Sequence, residues 1–251
     1  MTGFLAAVIT ITNLCGAVSV ETRGARVVSY VPAGGEEVFF VSETGTGGMP
    51  LCWPWFAGLG PSEDSRRHGL ARYCEFRLVA ERHRSPRDSE LELQLVSDAE
   101  THRLFPYDFE LTLIVRLTDI LTVSMVGRNT GGAPFTVTEA LHPYFAVVDQ
   151  RRCTVEGADG AVCRLHDPIA RREFIFTQSG SDGYYVWRPK PESHLARNVS
   201  PISPDDWRRF ICVENGTMKK ECAYTLKPGE SRTLTRTISV TRSMAAKRRI
   251  D

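Results

Sequence analysis

The sequence has little net charge and no long apolar run. Its 251 residues carry 31 Lys and Arg against 30 Asp and Glu, a formal net charge of +1. A chain so close to neutral has no overall field that would attract nucleic acid or an acidic membrane surface, so we expect neither as a partner. The longest apolar runs fall well short of the roughly 18 residues that a membrane-spanning helix needs, so no such helix is predicted.

Cysteine is also scarce. The seven cysteines are an odd number without a C-x-x-C pair, which fits neither a disulfide framework nor a structural zinc site. We expect small buried thiols in a reducing compartment. The apolar run at residues 4–11 is not predicted to be a signal peptide, because no Lys or Arg precedes Arg23 and the run continues into alternating sequence. The sequence therefore predicts a cytoplasmic protein.

Amphipathic helices are missing as well, and alternation by two is the strongest pattern, clearest at residues 89–96 and 109–117. Further strands are predicted at residues 8–12, 17–21, 26–30, 37–41, 75–79, 121–125, 135–138, 173–177, 184–187, 210–213 and 234–240. Many short strands separated by Gly, Pro, Asn and Asp predict an all-β sandwich or barrel. Because no interdomain linker interrupts the chain, we expect one domain over residues 1–251.

Two unusual segments interrupt the strand pattern. The Gly-rich residues 44–48 lack the Gly-Lys-Ser/Thr of a phosphate loop and precede Pro50, so they are predicted to form a tight turn. Residues 47–56 (GGMPLCWPWF) cannot form a regular central strand, because proline donates no ladder hydrogen bond. The aromatic residues of this segment either fill the core or offer a flat apolar face to a sugar ring, and Trp55 is the candidate for the second role.

The remaining candidate residues combine histidine with charged groups. His68 and Arg72 (HGLAR) belong either to a cleft or to a charged surface loop. His142 precedes Pro143, where strand pairing must stop or bulge, and bulges often orient catalytic side chains. Glu214 ends an apolar strand face before an expected Asn-Gly turn, where desolvation would raise its pKa toward that of a useful general base. A structural role for each residue stays open on spacing alone.

Five motifs taken together and in this order resemble the aldose 1-epimerase superfamily, in particular its hexose-6-phosphate mutarotase branch: GGMPLCWPWF, HGLAR, LHPYF, VWRP and CVENG. The resemblance extends from about the first strands to Lys227. It implies a large antiparallel β-sandwich of the galactose mutarotase type, in agreement with the strand pattern. It also implies that His142 and Glu214 are the acid and the base, that His68 helps to hold the sugar, and that Arg72 clamps a phosphate or hydroxyl. No metal or other cofactor is expected.

The sequence departs from the family pattern at two places. Thr46 stands where the family usually has an arginine that resembles a phosphate ligand. Three other arginines could replace it: Arg66, Arg67 and Arg188. The stretch between His142 and the VWRP motif is shorter than in the family, and Asp159 is the candidate for the aspartate that contacts the sugar there.

The leading hypothesis is a monomeric, cofactor-free isomerase that interconverts the anomers of a hexose 6-phosphate or a related aldose. The alternative is a non-catalytic sugar or sugar-phosphate binding protein on the same fold. A third possibility, a polysaccharide-processing enzyme or carbohydrate-binding module, would usually require export and would rest on fold analogy alone. The sequence names neither the hexose nor the pathway.

Overall fold

The structure is a computed structural model that describes residues 7–63, 65–195 and 202–242. Its strands in chain order are β1 (Val8–Asn13), β2 (Gly16–Glu21), β3 (Arg26–Pro32), β4 (Leu51–Cys52), β5 (Arg77–Ser85), β6 (Asp88–Val96), β7 (Phe109–Leu117), β8 (Leu121–Asn129), β9 (Phe135–Val137), β10 (Glu139–Leu141), β11 (Tyr144–Ala146), β12 (Thr154–Glu156), β13 (Val162–Asp167), β14 (Arg172–Ser179), β15 (Tyr184–Trp187), β16 (Phe210–Thr217), β17 (Tyr224–Leu226) and β18 (Ser231–Arg242). The helical segments are α1 (Ala99–His102) and the 3₁₀ turns Ala71–Tyr73, Pro191–Leu195, Asp206–Arg208 and Lys220–Cys222. Within the described ranges no helix is long and apolar enough to cross a bilayer.

The strands form two larger sheets and two smaller ones, and every named strand pair is antiparallel. The eight-stranded sheet has the order β12-β13-β14-β18-β8-β7-β6-β5. The five-stranded sheet has β16 at its centre, with β15 on one side and the consecutive strands β10 and β11 on the other, and β4 pairs with β10. Strands β1-β2-β3 and β17-β9 make the smaller sheets.

One apolar core lies between the two larger sheets. The alternation predicted at residues 89–96 is confirmed, because Leu91 and Leu93 of β6 are fully buried. Across the layers, the Phe145 ring of β11 lies 5.4 Å from the Phe174 ring and 4.6 Å from the Phe176 ring of β14, measured between centroids. Each such side chain contributes roughly 1.5–3 kcal/mol when it is removed from water. The packing confirms the predicted all-β sandwich and leaves one face of the five-stranded sheet for other contacts.

Two local predictions are wrong. Residues 37–41 form only isolated bridges rather than a strand, because the Glu37 carboxylate accepts hydrogen bonds from the backbone N–H groups of Tyr30, Val38 and Phe39. The expected Asn-Gly turn after Glu214 is absent, since β16 continues to Thr217. A Cβ at position 216 would lie 2.0 Å from the Glu139 carbonyl oxygen, so the glycine there permits close strand pairing.

The Gly-rich segment 44–48 is the turn that the sequence predicts. Gly45, Gly47 and Gly48 all have positive φ, which residues with a side chain rarely adopt. A Cβ on Gly47 would lie 2.0 Å from the Phe40 carbonyl oxygen. The turn leads into the short strand β4 and therefore holds residues 44–47 beside the outer face of the five-stranded sheet.

Candidate active site

A cavity of about 970 Å³ opens on the outer face of the five-stranded sheet. Four of the predicted site residues line it together: His68, Arg72, His142 and Glu214. The sequence separates them by up to 146 positions. The fold brings His142 and Glu214 together because β10 and β11 both pair with β16. It brings His68 and Arg72 to the same place because the 53–72 segment crosses the edge of this sheet. The predicted site residues Trp55 and Asp159 do not line this cavity.

His142 and Glu214 lie opposite each other across a break in strand pairing. Leu141 pairs with Asn215 at the end of β10, and Tyr144 pairs with Cys212 at the start of β11. The same register holds on both sides of the break, so His142 faces Glu214, with 3.4 Å between Nε2 and Oε1. The LHPYF motif thus interrupts the ladder at the point where the His142 and Glu214 side chains meet.

Burial sets the protonation of this pair. Both side chains are almost fully buried, and neither His142 Nδ1 nor Glu214 Oε2 has a hydrogen-bond partner among the described residues. Desolvation raises the pKa of Glu214 to about 8, although Arg72 and Arg236 oppose the rise. Desolvation and, next, the Arg72 charge lower the pKa of His142 to about 3. The pair therefore holds one proton over the range between these two values.

His68 reaches the cavity from a strained loop. Its φ is +65° and that of the next residue, Gly69, is +81°. Its Nδ1 accepts a hydrogen bond from the Ala57 backbone N–H at 3.3 Å and lies 3.3 Å from the Cys52 sulfur. These contacts leave Nε2 as the protonated nitrogen, and burial lowers the pKa of His68 to about 2. A neutral imidazole 5.2 Å from the His142 ring can thus donate a hydrogen bond to a sugar oxygen.

Arg72 lies beside the acid–base pair. It belongs to the 3₁₀ turn Ala71–Tyr73, and its Nη2 donates to the Cys52 sulfur at 3.1 Å while Nε donates to the Leu51 carbonyl at 3.4 Å. Its charge is the largest influence that opposes the pKa rise of Glu214. Arg72 is therefore placed to favour the ionised form of Glu214 as well as to hold an oxygen of the ligand.

The outer wall of the cavity is rich in arginine. Four arginines besides Arg72 line it: Arg23, Arg26, Arg66 and Arg67. Arg26 pairs with Glu21 at 2.8 Å and donates to the carbonyl oxygens of Gly45 and Gly47, so it braces the loop that carries Thr46. Thr46 also lines the cavity, which supports its comparison with the family arginine.

Sequence reasoning missed Arg23 and Arg26. Arg23 follows β2 and forms an isolated bridge with Glu75, while Arg26 begins β3. Gly24 between them has a φ of +74°, and a Cβ there would lie 2.8 Å from the Arg72 carbonyl oxygen. The pattern Arg-Gly-Ala-Arg at a hairpin is the feature that could have drawn attention to this wall.

Three predicted residues lie elsewhere. Trp55 is buried in the core and donates its indole N–H to the Arg66 carbonyl at 2.7 Å, so Phe56, not Trp55, gives the cavity an aromatic face from this segment. Asp159 lies in the exposed turn between β12 and β13. Arg188 does not line the cavity, because its guanidinium donates to the carbonyl oxygens of Gln150 and Cys153.

The side chains of His142, Cys212 and Glu214 bring donor atoms within 4.8 Å of one another. A metal would need the thiolate form of cysteine. Cys212 is fully buried, and without a metal desolvation and, next, Glu214 raise the pKa of its thiol well above the usual value. A metal would have to displace that proton, and we assign none to this group.

Comparison with known proteins points to one family. The aldose 1-epimerase family model matches residues 7–181. An Escherichia coli protein named "Putative glucose-6-phosphate 1-epimerase" is 31% identical over 240 residues, covering 78% of each chain. A Cenchrus ciliaris protein of the same name is 26% identical over 268 residues, covering 87% of this chain and 79% of the relative.

Solved structures show the same architecture. A Salmonella typhimurium crystal structure described as a "putative mutarotase" superposes with a TM-score of 0.83 at 22% identity, covering 94% of this chain and 90% of that one. A galactose mutarotase-like protein from Lactobacillus casei gives a TM-score of 0.72 at 19% identity, with coverage of 94% and 100%. The fold is thus that of the galactose mutarotases, and the chain belongs to the aldose 1-epimerase family of isomerases.

Proposed function

We propose that the protein is a mutarotase that interconverts the α and β anomers of a hexose 6-phosphate. The observation that carries the proposal is the opposed pair His142 and Glu214, 3.4 Å apart in a cavity whose outer wall carries arginine. The relatives named as glucose-6-phosphate 1-epimerases support the same substrate class.

The reaction needs two proton transfers and no redox step. The Glu214 carboxylate takes the proton of the anomeric hydroxyl while His142 protonates the ring oxygen. The C1–O5 bond breaks as the C1 carbonyl forms, and the ring opens to the aldehyde. Rotation about the C1–C2 bond followed by the reverse transfers closes the ring with the opposite anomeric configuration. Each positioned acid or base contributes a factor of about 10²–10⁴.

The single proton of the pair suits this cycle. With no sugar bound, burial favours a protonated Glu214 and a neutral His142. In the working state Glu214 is a carboxylate and His142 an imidazolium. This state contains the same number of protons as the resting state, with one proton moved from Glu214 to His142. Sugar hydroxyls that donate to the carboxylate favour this working state. The Arg72 charge favours the carboxylate but opposes the imidazolium. No proton need be exchanged with solvent to enter the cycle.

The phosphate is assigned to the outer wall. A guanidinium offers a bidentate fork to an oxyanion, so a few arginines can hold a phosphate on a nearly neutral protein. Arg23, Arg66 and Arg67 are exposed at the cavity and are the proposed ligands, while Arg26 braces the loop of Thr46. This arrangement supports a role for Arg66 and Arg67 in place of the arginine that the family has at position 46.

The proposal includes a monomer of one domain that works in the cytoplasm. All seven cysteines are free and five of them are buried, which suits a reducing compartment. Trp55 and Asp159 are not assigned to the sugar. His68 is assigned to a sugar oxygen because it lines the cavity and its Nδ1 accepts from the Ala57 N–H, which leaves Nε2 as the donor.

The test is polarimetry on freshly dissolved α-glucose 6-phosphate and, in parallel, α-glucose. We expect the protein to accelerate mutarotation of the phosphate more strongly, and Arg23→Ala to raise the KM for the phosphate about tenfold with little effect on glucose. Arg77→Ala is the matched control, because Arg77 is exposed on β5 and bonds Gln94 outside the cavity. No acceleration with any aldose or phosphate would refute the proposal, and saturable binding without turnover would favour the binding-protein alternative.

A further inference from the structure

Arg236 is a charged residue in an apolar row. It lies on β18 between Leu234 and Ile238, which are both fully buried, and its own side chain has no solvent exposure. Three aromatic rings surround the guanidinium: Phe176 at 4.4 Å, Phe145 at 5.2 Å and Tyr184 at 5.6 Å, measured to the ring centroids. Such rings stabilise a cation that water cannot reach, yet burial of a charge remains costly unless hydrogen bonds or an opposite charge compensate it.

The guanidinium crosses the core to the strand of the proposed base. Its Nη1 donates to the Val213 carbonyl at 2.5 Å and to the Asn215 side-chain oxygen at 3.1 Å, so it contacts both neighbours of Glu214. Asn215 thereby binds Arg236 from within β16, although the sequence predicts a turn there.

The strand break explains why Val213 needs this donor. The N–H groups of His142 and Tyr144 donate to Pro50 and Gly48, away from β16. Along a strand, the backbone N–H groups point alternately to one neighbouring strand and to the other, so the N–H of a residue at position 143 would point toward β16. The register on both sides of the break places position 143 opposite Val213. Pro143 has no N–H. Arg236 therefore supplies a donor to a carbonyl that the LHPYF motif leaves without its ladder partner.

We propose that Arg236 is a positioning residue for the acid–base pair: it holds β16 at the strand break and keeps a permanent positive charge behind Glu214. Its effect on turnover rests on the proposed function. Its effect on Glu214 itself does not, because that can be measured without substrate.

Several groups face Glu214 from the elements packed around it. They are His142 in the strand break, Tyr144 of β11, Tyr185 of β15, Cys212 of β16, Cys52 of β4, the loop residues His68 and Arg72, and Arg236 of β18. Of these, the positively charged ones are Arg72, on the cavity side, and Arg236, on the core side. Arg236 is thus the positive charge near Glu214 that lies outside the cavity.

Arg236→Met tests the inference. Loss of the charge should raise the pKa of Glu214 by roughly 0.5–1 unit, which ¹³C NMR of labelled glutamate carboxyls can follow, with Glu214→Gln identifying the signal. The alkaline limb of kcat/KM should move to higher pH by the same amount. The plateau should fall about 3- to 10-fold, because the working state of the pair becomes rarer.

Arg172→Met is the matched control. Arg172 is also buried, lies 4.8 Å from the Phe174 ring and donates from the same sheet to the carbonyl oxygens of Glu37 and Ala146, but it touches neither neighbour of Glu214. The Arg172→Met substitution should lower the free energy of unfolding without moving the pKa of Glu214. If Arg236→Met does not fold, Arg236→Lys keeps the charge without the two-point contact, and we expect an alkaline limb close to that of the wild type with a lower plateau.

An unchanged Glu214 pKa and an unmoved alkaline limb in Arg236→Met would overturn the inference and leave a purely structural arginine. So would an equal shift in Arg172→Met. A wild-type protein without turnover would instead refute the proposed function, and the NMR titration would still decide the effect of Arg236 on Glu214.

Discussion

Two buried glutamates on neighbouring strands of the five-stranded sheet have similarly raised pKa values but different surroundings. Glu139 begins β10 and Glu214 lies within β16. Desolvation raises the pKa of each to about 8. Glu139 faces the core beside Tyr224, while Glu214 opens on the cavity.

The difference lies in the partners of the two carboxyl groups. Tyr224 and Arg232 only partly oppose the effect of burial on Glu139, and no histidine pairs with it in the part of the chain that is described. Glu214 has His142 at 3.4 Å and two arginines that favour its ionised form. A raised pKa alone therefore does not identify a general base, whereas a raised pKa beside a histidine in an open cavity makes Glu214 the candidate.

The largest expected effect separates the two residues by activity. Glu214→Gln should lower kcat about 10²- to 10⁴-fold, because an amide cannot accept the anomeric proton. Glu139→Gln should keep kcat within about threefold, because its side chain does not reach the cavity. Polarimetry with both variants under one condition measures the contrast. A comparable loss in the two variants would mean that Glu139 supports the site through β10, which pairs with β16.

The next effect concerns pH. The pair His142 and Glu214 works with one proton, so kcat/KM should be flat between pH values of about 3 and about 8, within the range where the protein stays folded. Above pH 8 it should fall about tenfold per pH unit, since the last proton leaves the pair.

The profile of Glu139→Gln serves as the control for this pH dependence. It should keep the same alkaline limb, although Glu139 has a similarly raised pKa. If the alkaline limb moves in this variant, the titration belongs to Glu139 and not to Glu214. Activity that rises steadily above pH 8 would contradict a pair that works with one proton.

The pH dependence of stability should show the cost of ionising Glu139 in the core. Glu139 has a folded-state pKa near 8 against 4.5 for its ordinary value. A raised carboxyl pKa makes the folded state most favoured below pH 4.5, and this advantage is lost as pH rises toward 8. Glu139→Gln should therefore flatten the fall in unfolding free energy, by about 1.4 kcal/mol per pH unit and at most about 4 kcal/mol between pH 5 and 8.

Urea unfolding at several pH values measures this slope. Glu43→Gln is the control, because Glu43 is exposed and should leave the slope as it is in the wild type. A Glu139→Gln slope equal to that of the wild type would show that Glu139 ionises in the folded protein at its ordinary pKa.

The sequence predicts the sandwich because inward and outward residues alternate in long strands such as β6 and β7. Prediction from the sequence fails where a side chain takes the place of a strand-to-strand hydrogen bond, as Glu37 does. It also fails where a tertiary contact overrides the turn preference of a dipeptide, as at Asn215. Asn-Gly is typical of a hairpin, yet here β10 and β15 flank the dipeptide on both sides and hold it extended.

The site was predictable to the extent that its residues stand in motifs. His68, Arg72, His142 and Glu214 were found because each lies in a recognisable segment, but their meeting depends on the register across the LHPYF break. Arg23 was missed because position alone does not tell which loop residues turn toward a cavity. Arg236 could have been found, since it occupies the apolar phase of the alternating strand β18.

The smallest expected effect concerns a third carboxylate, Asp159, which has neither the burial of Glu139 nor the cavity of Glu214. Its turn is tied to β15 by the Tyr184 N–H, which donates to the Ala158 carbonyl at 3.1 Å, and the exposed side chain does not line the cavity. Asp159→Asn should change kcat and KM by less than about twofold, because it is a surface substitution outside the core and the cavity. A tenfold rise in KM with kcat unchanged would mean that the turn closes over the bound sugar, and that Asp159 is a ligand which the open cavity does not reveal.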